Sequence, residues 1–249
     1  RSLLVPLAVS YLLMTVTWRE ALQIMALGVL VLGLSAAFVL KRAPAVNSGS
    51  SGQLSGLTLR EALSTSSFKW LYMGALLGSP VMFIPFAHIS AAARDAGVSD
   101  SQAVALVGLI GIGSLVGRFA IGWLADRLGR IQTLMLMQCA MGLTYLIWAM
   151  ASNQLAFSIF AVVFGLSYGS IVSLLPAICM DLFGGRAVSA IIGTLYTGAA
   201  LGNLLGPVWA GRVFDVDHSY HFVIWMTLGI SALATFCCSR IGRETRTHF

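Results

Sequence analysis

Seven apolar runs, each about the length needed to cross a bilayer, follow one another, and all but the first two are separated only by short polar turns. They lie at 20–40, 69–92, 101–124, 131–151, 155–180, 187–211 and 221–240. Few folds survive that constraint. In lipid every backbone N–H and C=O must pair within the protein, so runs of this length are helices, and the alternating strands of a barrel are absent. An eighth run, 3–15, falls short of the roughly 20 residues a crossing needs. The chain opens on Arg1 with no signal-peptide pattern, which predicts that it begins partway through a helix and is a fragment of a longer protein.

Composition excludes several functions. Only 10% of residues are charged and 58% are hydrophobic, against about a quarter charged in soluble domains. The net charge of +6 does not point to nucleic acid, because the basic residues sit in short segments between apolar runs instead of lining one face. Cys139, Cys179, Cys237 and Cys238 all lie inside apolar runs, with no CxxC and no histidine at metal spacing, so no metal or other cofactor is expected. Paired intramembrane aspartates and HExxH are also missing, which argues against an intramembrane enzyme.

The loops set an orientation. With Lys41 and Arg42 on the cytoplasmic side, alternation places Arg60, Lys69, Arg127, Arg130, Arg186, Arg240, Arg243 and Arg246 there too, and only Arg19, Arg94 and Arg212 opposite. A plasma (inner) membrane protein with a cytoplasmic linker and C-terminus is expected. The linker is the small, polar stretch 43–56, which buries almost nothing. Behind it, Leu57 to Leu63 reads as a short amphipathic helix on the membrane surface, with Thr58 as N-cap and Glu61 completing a capping box. The expected divisions are 1–40, a linker with its short helix at 41–67, and a six-helix bundle at 68–249.

A faint internal repeat supports that division: Leu3-Leu4-Val5-Pro6 is echoed by Leu204-Leu205-Gly206-Pro207. Between two spans stands Gly122-Trp123-Leu124-Ala125-Asp126-Arg127-Leu128-Gly129-Arg130. It resembles the G-x-L-x-D-R-x-G-R loop of the major facilitator superfamily, in its second-half copy between helices 8 and 9. Pro85-Phe86-Ala87-His88-Ile89 and Gly206-Pro207-Val208-Trp209-Ala210-Gly211-Arg212 resemble the monocarboxylate-porter and oxalate/formate-antiporter branch. The resemblance implies an all-α membrane fold: a C-terminal six-helix bundle, helices 7–12, plus the last one and a half helices of the N-terminal bundle. It implies a secondary carrier of small organic anions working by alternating access, with lipids and the rest of the N-terminal bundle as its surroundings. A drug or neutral-solute carrier and a non-transporting sensor or scaffold are the rival readings.

Arg118 is the cation to explain. It lies eight residues before Asp126, about 12 Å deeper along a helix. A guanidinium there is costly unless it is paired or faces water. A substrate carboxylate would pair with it; alternatively, it snorkels to the surface and braces the turn. The resemblance implies substrate binding. It also marks two departures: Ser114 stands where animal monocarboxylate porters carry an aspartate, and 187–211 lacks the lysine of the oxalate/formate branch. If transport is coupled to protons, the carrier is His88 or a residue of the first half. His88, Tyr168, Tyr196 and Asn203, with Ser114, are expected to line a cavity and bind substrate together with Arg118. Gly122, Asp126, Arg127, Gly129 and Arg130 are expected to form a conformational latch, with Arg130 pairing with Asp181 and Asp126 contacting helix 5. Gly113 and Gly117, and Gly198, Gly202 and Gly206, fall at four-residue spacing that lets neighbouring backbones approach.

Overall fold

The computed structural model describes residues 16–39 and 55–241. The helices among them are α1 (Trp18–Val39), α2 (Leu59–Ser64), α3 (Ser66–Asp95), α4 (Asp100–Leu128), α5 (Arg130–Met150), α6 (Gln154–Phe183), α7 (Val188–Asp217) and α8 (His221–Arg240). The chain divides into two compact units, Arg1–Gln53 and Leu54–Phe249. In the first, Thr17 and Glu20 exchange hydrogen bonds that start α1. The expected span 3–15 and most of the linker lie outside the described residues.

In the second unit six helices, α3 to α8, are long and apolar enough to cross a membrane. Several run past the apolar stretches that mark them in sequence, because polar caps and polar last turns continue the helix. Thr65 accepts from Phe68 N at the start of α3, and Asn153 accepts from Ala156 N at the start of α6. The turn between α4 and α5 is a single residue, Gly129, at φ +89°, which favours glycine.

Packing is pairwise. α4 lies along α6, α3 along α7 and α8, and α5 along α6 and α8. The α4–α6 contact is made of glycine from both sides: Gly113 and Gly117 face the Val162 and Leu166 backbone, while Gly165 and Gly169 face the Ile110 and Ser114 backbone. The α3–α7 contact sets Gly198 against the Tyr72 ring, and Gly202 and Gly206 against Pro80. Prolines break the helical ladder, and side chains repair it. Pro85 has no N–H for the Val81 carbonyl, and the buried Tyr145 hydroxyl donates to that oxygen at 2.7 Å.

The capping box at Thr58 and Glu61 is present. Its helix, however, is not free on the membrane surface. Ala62 is fully buried, and Leu57, Leu59 and Leu63 pack on the bundle core, so the apolar face that suggested lipid meets protein. Just before it, Leu57 N donates to Phe183 O and Gly185 N to Ser55 O, tying the end of the linker to the α6–α7 turn. Gly56 and Gly184 meet there too closely for any side chain.

Candidate functional site

A cavity of about 260 Å3 lies among α3, α5, α6 and α7, near the middle of the helices, with Cys238 of α8 at one edge. Each helix brings one face to it. On α6, Tyr168, Ile171, Val172 and Leu175 recur at helical spacing, and on α7 Tyr196, Ala199 and Asn203 do the same. Apart from Ser79, Gln138 and Cys238 the other walls are apolar, and among the described residues no Asp, Glu, Lys, Arg or His lines them.

Three residues expected at a cavity therefore meet at this one: Tyr168, Tyr196 and Asn203. Tyr168 is held by aromatic packing. It stacks parallel to Phe164 one turn away and takes edge contacts from Phe83 and Phe86. Tyr196 is 40% exposed and lies within electrostatic reach of Tyr168.

Arg118 is not in the wall of this cavity. It is exposed on α4, next in sequence to Gly117, which packs against Leu166 and Ser170 of α6. The salt bridges among the described residues are Arg94–Asp100 and Arg130–Asp181, and Arg118 belongs to neither. Ser114, one turn earlier, is buried in the α4–α6 seam with its carbonyl against Gly169. The structure does not bring Ser114 to the cavity.

Nor does it bring His88 there. His88 joins α3 to the far end of α7, with Nε2 at 3.0 Å from the Pro207 carbonyl and Nδ1 at 3.2 Å from the Tyr220 hydroxyl. A carbonyl only accepts, so the proton sits on Nε2 and Tyr220 donates to Nδ1. Burial, with Asp95 and Asp215 adding to it, pushes the Tyr220 hydroxyl up to about 12, so this donor keeps its proton at physiological pH.

At the α4–α5 turn, Arg130 forms an ion pair with Asp181 at 2.5 Å and also donates to the Ala177 carbonyl. Arg127 lies over the Trp123 ring at 4.2 Å. Asp126 and Gly122 are exposed, and the helix 5 segment expected to meet Asp126 lies outside the described residues. Among the described residues no three His, Cys, Asp or Glu side chains converge as a metal site requires.

Two features of the site escape a reading by sequence alone. Gln138 on α5 lines the cavity although it sits in an otherwise apolar run, and the glycines of α6 complete the seam begun by those of α4. The Gly165–Gly169 spacing, identical to Gly113–Gly117, is the signal that pairs the two helices.

The sequence matches the Major Facilitator Superfamily over residues 2–207 and 81–248. It is 33% identical over 175 residues to monocarboxylate transporter 3 of Gallus gallus, covering 66% of this chain and 32% of that protein. Over 184 residues it is 29% identical to the MFS transporter asaE of Aspergillus flavus, covering 72% of this chain and 42% of that protein. Over 139 residues it is 32% identical to monocarboxylate transporter 12 of Homo sapiens, covering 54% of this chain and 27% of that protein. The matched region spans about a third of the length of these monocarboxylate transporters.

Proposed function

The chain belongs to the major facilitator superfamily, and from that premise we propose that it is the C-terminal part of a carrier of small monocarboxylate-like anions. The observation that carries this reading is Arg118: a guanidinium within the apolar helix α4, in neither ion pair among the described residues, on the helix that packs along the one carrying Tyr168. A substrate carboxylate supplies the missing partner through two parallel hydrogen bonds. The names of the relatives agree with an anion of this class.

In this reading α3 to α8 form one of two bundles that rock about a mid-membrane site, opening it to each side in turn. Tyr168, Tyr196 and Asn203 shape the site. Asp126, Arg127 and the Arg130–Asp181 pair latch the cytoplasmic ends, with Gly122 and Gly129 shaping the turn that carries them. The latch turn and linker face the cytoplasm of a cell whose plasma membrane holds the protein. Proton coupling, if present, runs through the first half or through opening of the His88 junction.

Uptake of labelled lactate into liposomes holding the full-length protein tests the anion role. Arg118→Gln lowers uptake about 100-fold, the scale of a buried charge losing its partner, and Arg118→Lys restores part of it because the charge stays while the fork is lost. Lactate uptake unchanged by Arg118→Gln would eliminate Arg118 as the anion site, and a wild type that takes up no lactate would favour a carrier of drugs or neutral solutes. That second reading draws on one observation, the absence of any ionised side chain from the cavity wall.

A further inference from the structure

Among the described residues two buried side-chain polar atoms have no hydrogen-bond partner, Nε2 of Gln138 and Oδ1 of Asn203. Both residues line the same cavity. Gln138 is 3% exposed, and its amide lies against Gly78 on the facing helix, where a Cβ would sit 3.2 Å from it. The glycine leaves room for the amide, and Ser231 fixes its backbone by donating to the Gln138 carbonyl at 3.2 Å. Asn203 approaches from α7, one turn before Pro207. That proline has no N–H, so the Asn203 carbonyl also lacks its helical donor.

We propose that this cavity is a binding site for an uncharged small molecule bearing a carboxamide or hydroxyl group, held by Gln138 and Asn203. One residue offers a donor and the other an acceptor. A carboxamide presents the complementary pair on one small planar group. The rest of the molecule is apolar, matching Met82, Phe83, Leu134 and Ile171 in the walls. A charged group does not fit the Gln138 end of the cavity, because burying it there without a counter-charge is strongly unfavourable and no ionised side chain among the described residues lines the cavity. The volume, about 260 Å3, is close to the lower end of small-molecule sites at roughly 300 Å3, so the ligand is about the size of one small substituted ring. The site shares Asn203 with the anion reading but is held by Gln138 and not by Arg118, and it stands whether or not Arg118 holds an anion.

The probe is 4-fluorobenzamide, titrated against the full-length protein in lipid nanodiscs and followed by fluorine NMR. The wild type binds it saturably. Gln138→Met and Asn203→Leu each weaken binding about tenfold or more, because each leaves one polar end of the amide unpaired. 4-Fluorobenzoate, of the same shape but charged, does not displace the probe. Without ligand, Gln138→Met unfolds at the wild-type temperature or above it, since an unpaired buried amide has been replaced by an apolar chain of similar size. Absence of saturable wild-type binding overturns the proposal. So does wild-type affinity in both variants, or binding lost in Arg118→Gln but kept in Gln138→Met. Should Gln138→Met fail to fold, the wild-type titration and Asn203→Leu decide the matter.

Discussion

The two glycine-lined helix pairs, α4–α6 and α3–α7, use the same four-residue spacing and come out differently. Along α4–α6 both helices contribute glycine, so backbone meets backbone and the seam closes on Ser114 and Ser170, whose hydroxyl donates to the Gly117 carbonyl. Along α3–α7 only α7 contributes: Gly198 faces the Tyr72 ring, Gly202 the Leu76 carbonyl and Pro80, and Gly206 the Pro80 backbone and ring. Those helices also carry Pro80, Pro85 and Pro207, and the cavity with its unpaired amides opens beside them. Small residues on both sides make a close seam even though α6 carries Pro176, whereas α3 and α7, with three prolines between them, leave space beside their contact. The close seam positions Arg118, and the proline-bearing pair borders the pocket.

The largest test of that contrast is Gly169→Val. Its side chain meets the Ser114 backbone, which cannot move aside, so folding is expected to lose at least about 3 kcal/mol and recovery of monodisperse protein to collapse. Gly198→Ala meets only the outer atoms of the Tyr72 ring, which can turn away, and should leave most of the protein folded. Equal losses in thermal unfolding would erase the distinction between the two pairs.

Next in size is Tyr145→Phe, which strands the Val81 carbonyl beside Pro85 and should cost about 1–3 kcal/mol. Thr58→Ala removes the cap of α2 at about 1 kcal/mol and should raise proteolysis at the linker. The Thr58 backbone N–H, then its hydroxyl, hold the Glu61 carboxyl below the usual carboxylate range. The attachment of α2 should therefore be intact above the unfolded pKa of Glu61, and weaken as acid takes the pH down through its lower folded value. Smallest is Asp181→Asn. Its partner Arg130 is 43% exposed, so stability should change by less than about 1 kcal/mol. A latch role for the pair would show instead as a changed transport rate at unchanged stability.

Much of this was legible in the residues because it is local. Apolar runs place the spans, Thr58 and Glu61 announce their own capping box three residues apart, and Gly129 marks the turn. Arg130 and Asp181 could be paired because both stand at helix ends on the same expected side. What was not legible depends on which way a helix is rotated. Ser114 and Arg118 are four residues apart, yet Ser114 is buried in the seam and Arg118 is exposed. Gln138 sits in a run that looks like plain lipid-facing helix until α5 is seen packed between α6 and α8. His88 has the chemistry of a proton switch, but its two partners come from the far end of α7 and the next turn, at sequence distances no local pattern reveals. The face of α2 that reads as apolar does pack on apolar residues, but they belong to the bundle and not to lipid.

The central claim, that Arg118 is the anion site, is tested most directly by chemical protection. The full-length protein in nanodiscs is treated with an arginine-specific dicarbonyl reagent, and each arginine is followed by peptide mass spectrometry with and without lactate. With lactate at ten times its Kd, labelling of Arg118 should slow about tenfold by mass action, while the exposed Arg212 on α7 labels as before. An Arg118 that labels at the same rate in both conditions, while lactate is demonstrably bound, would contradict the account.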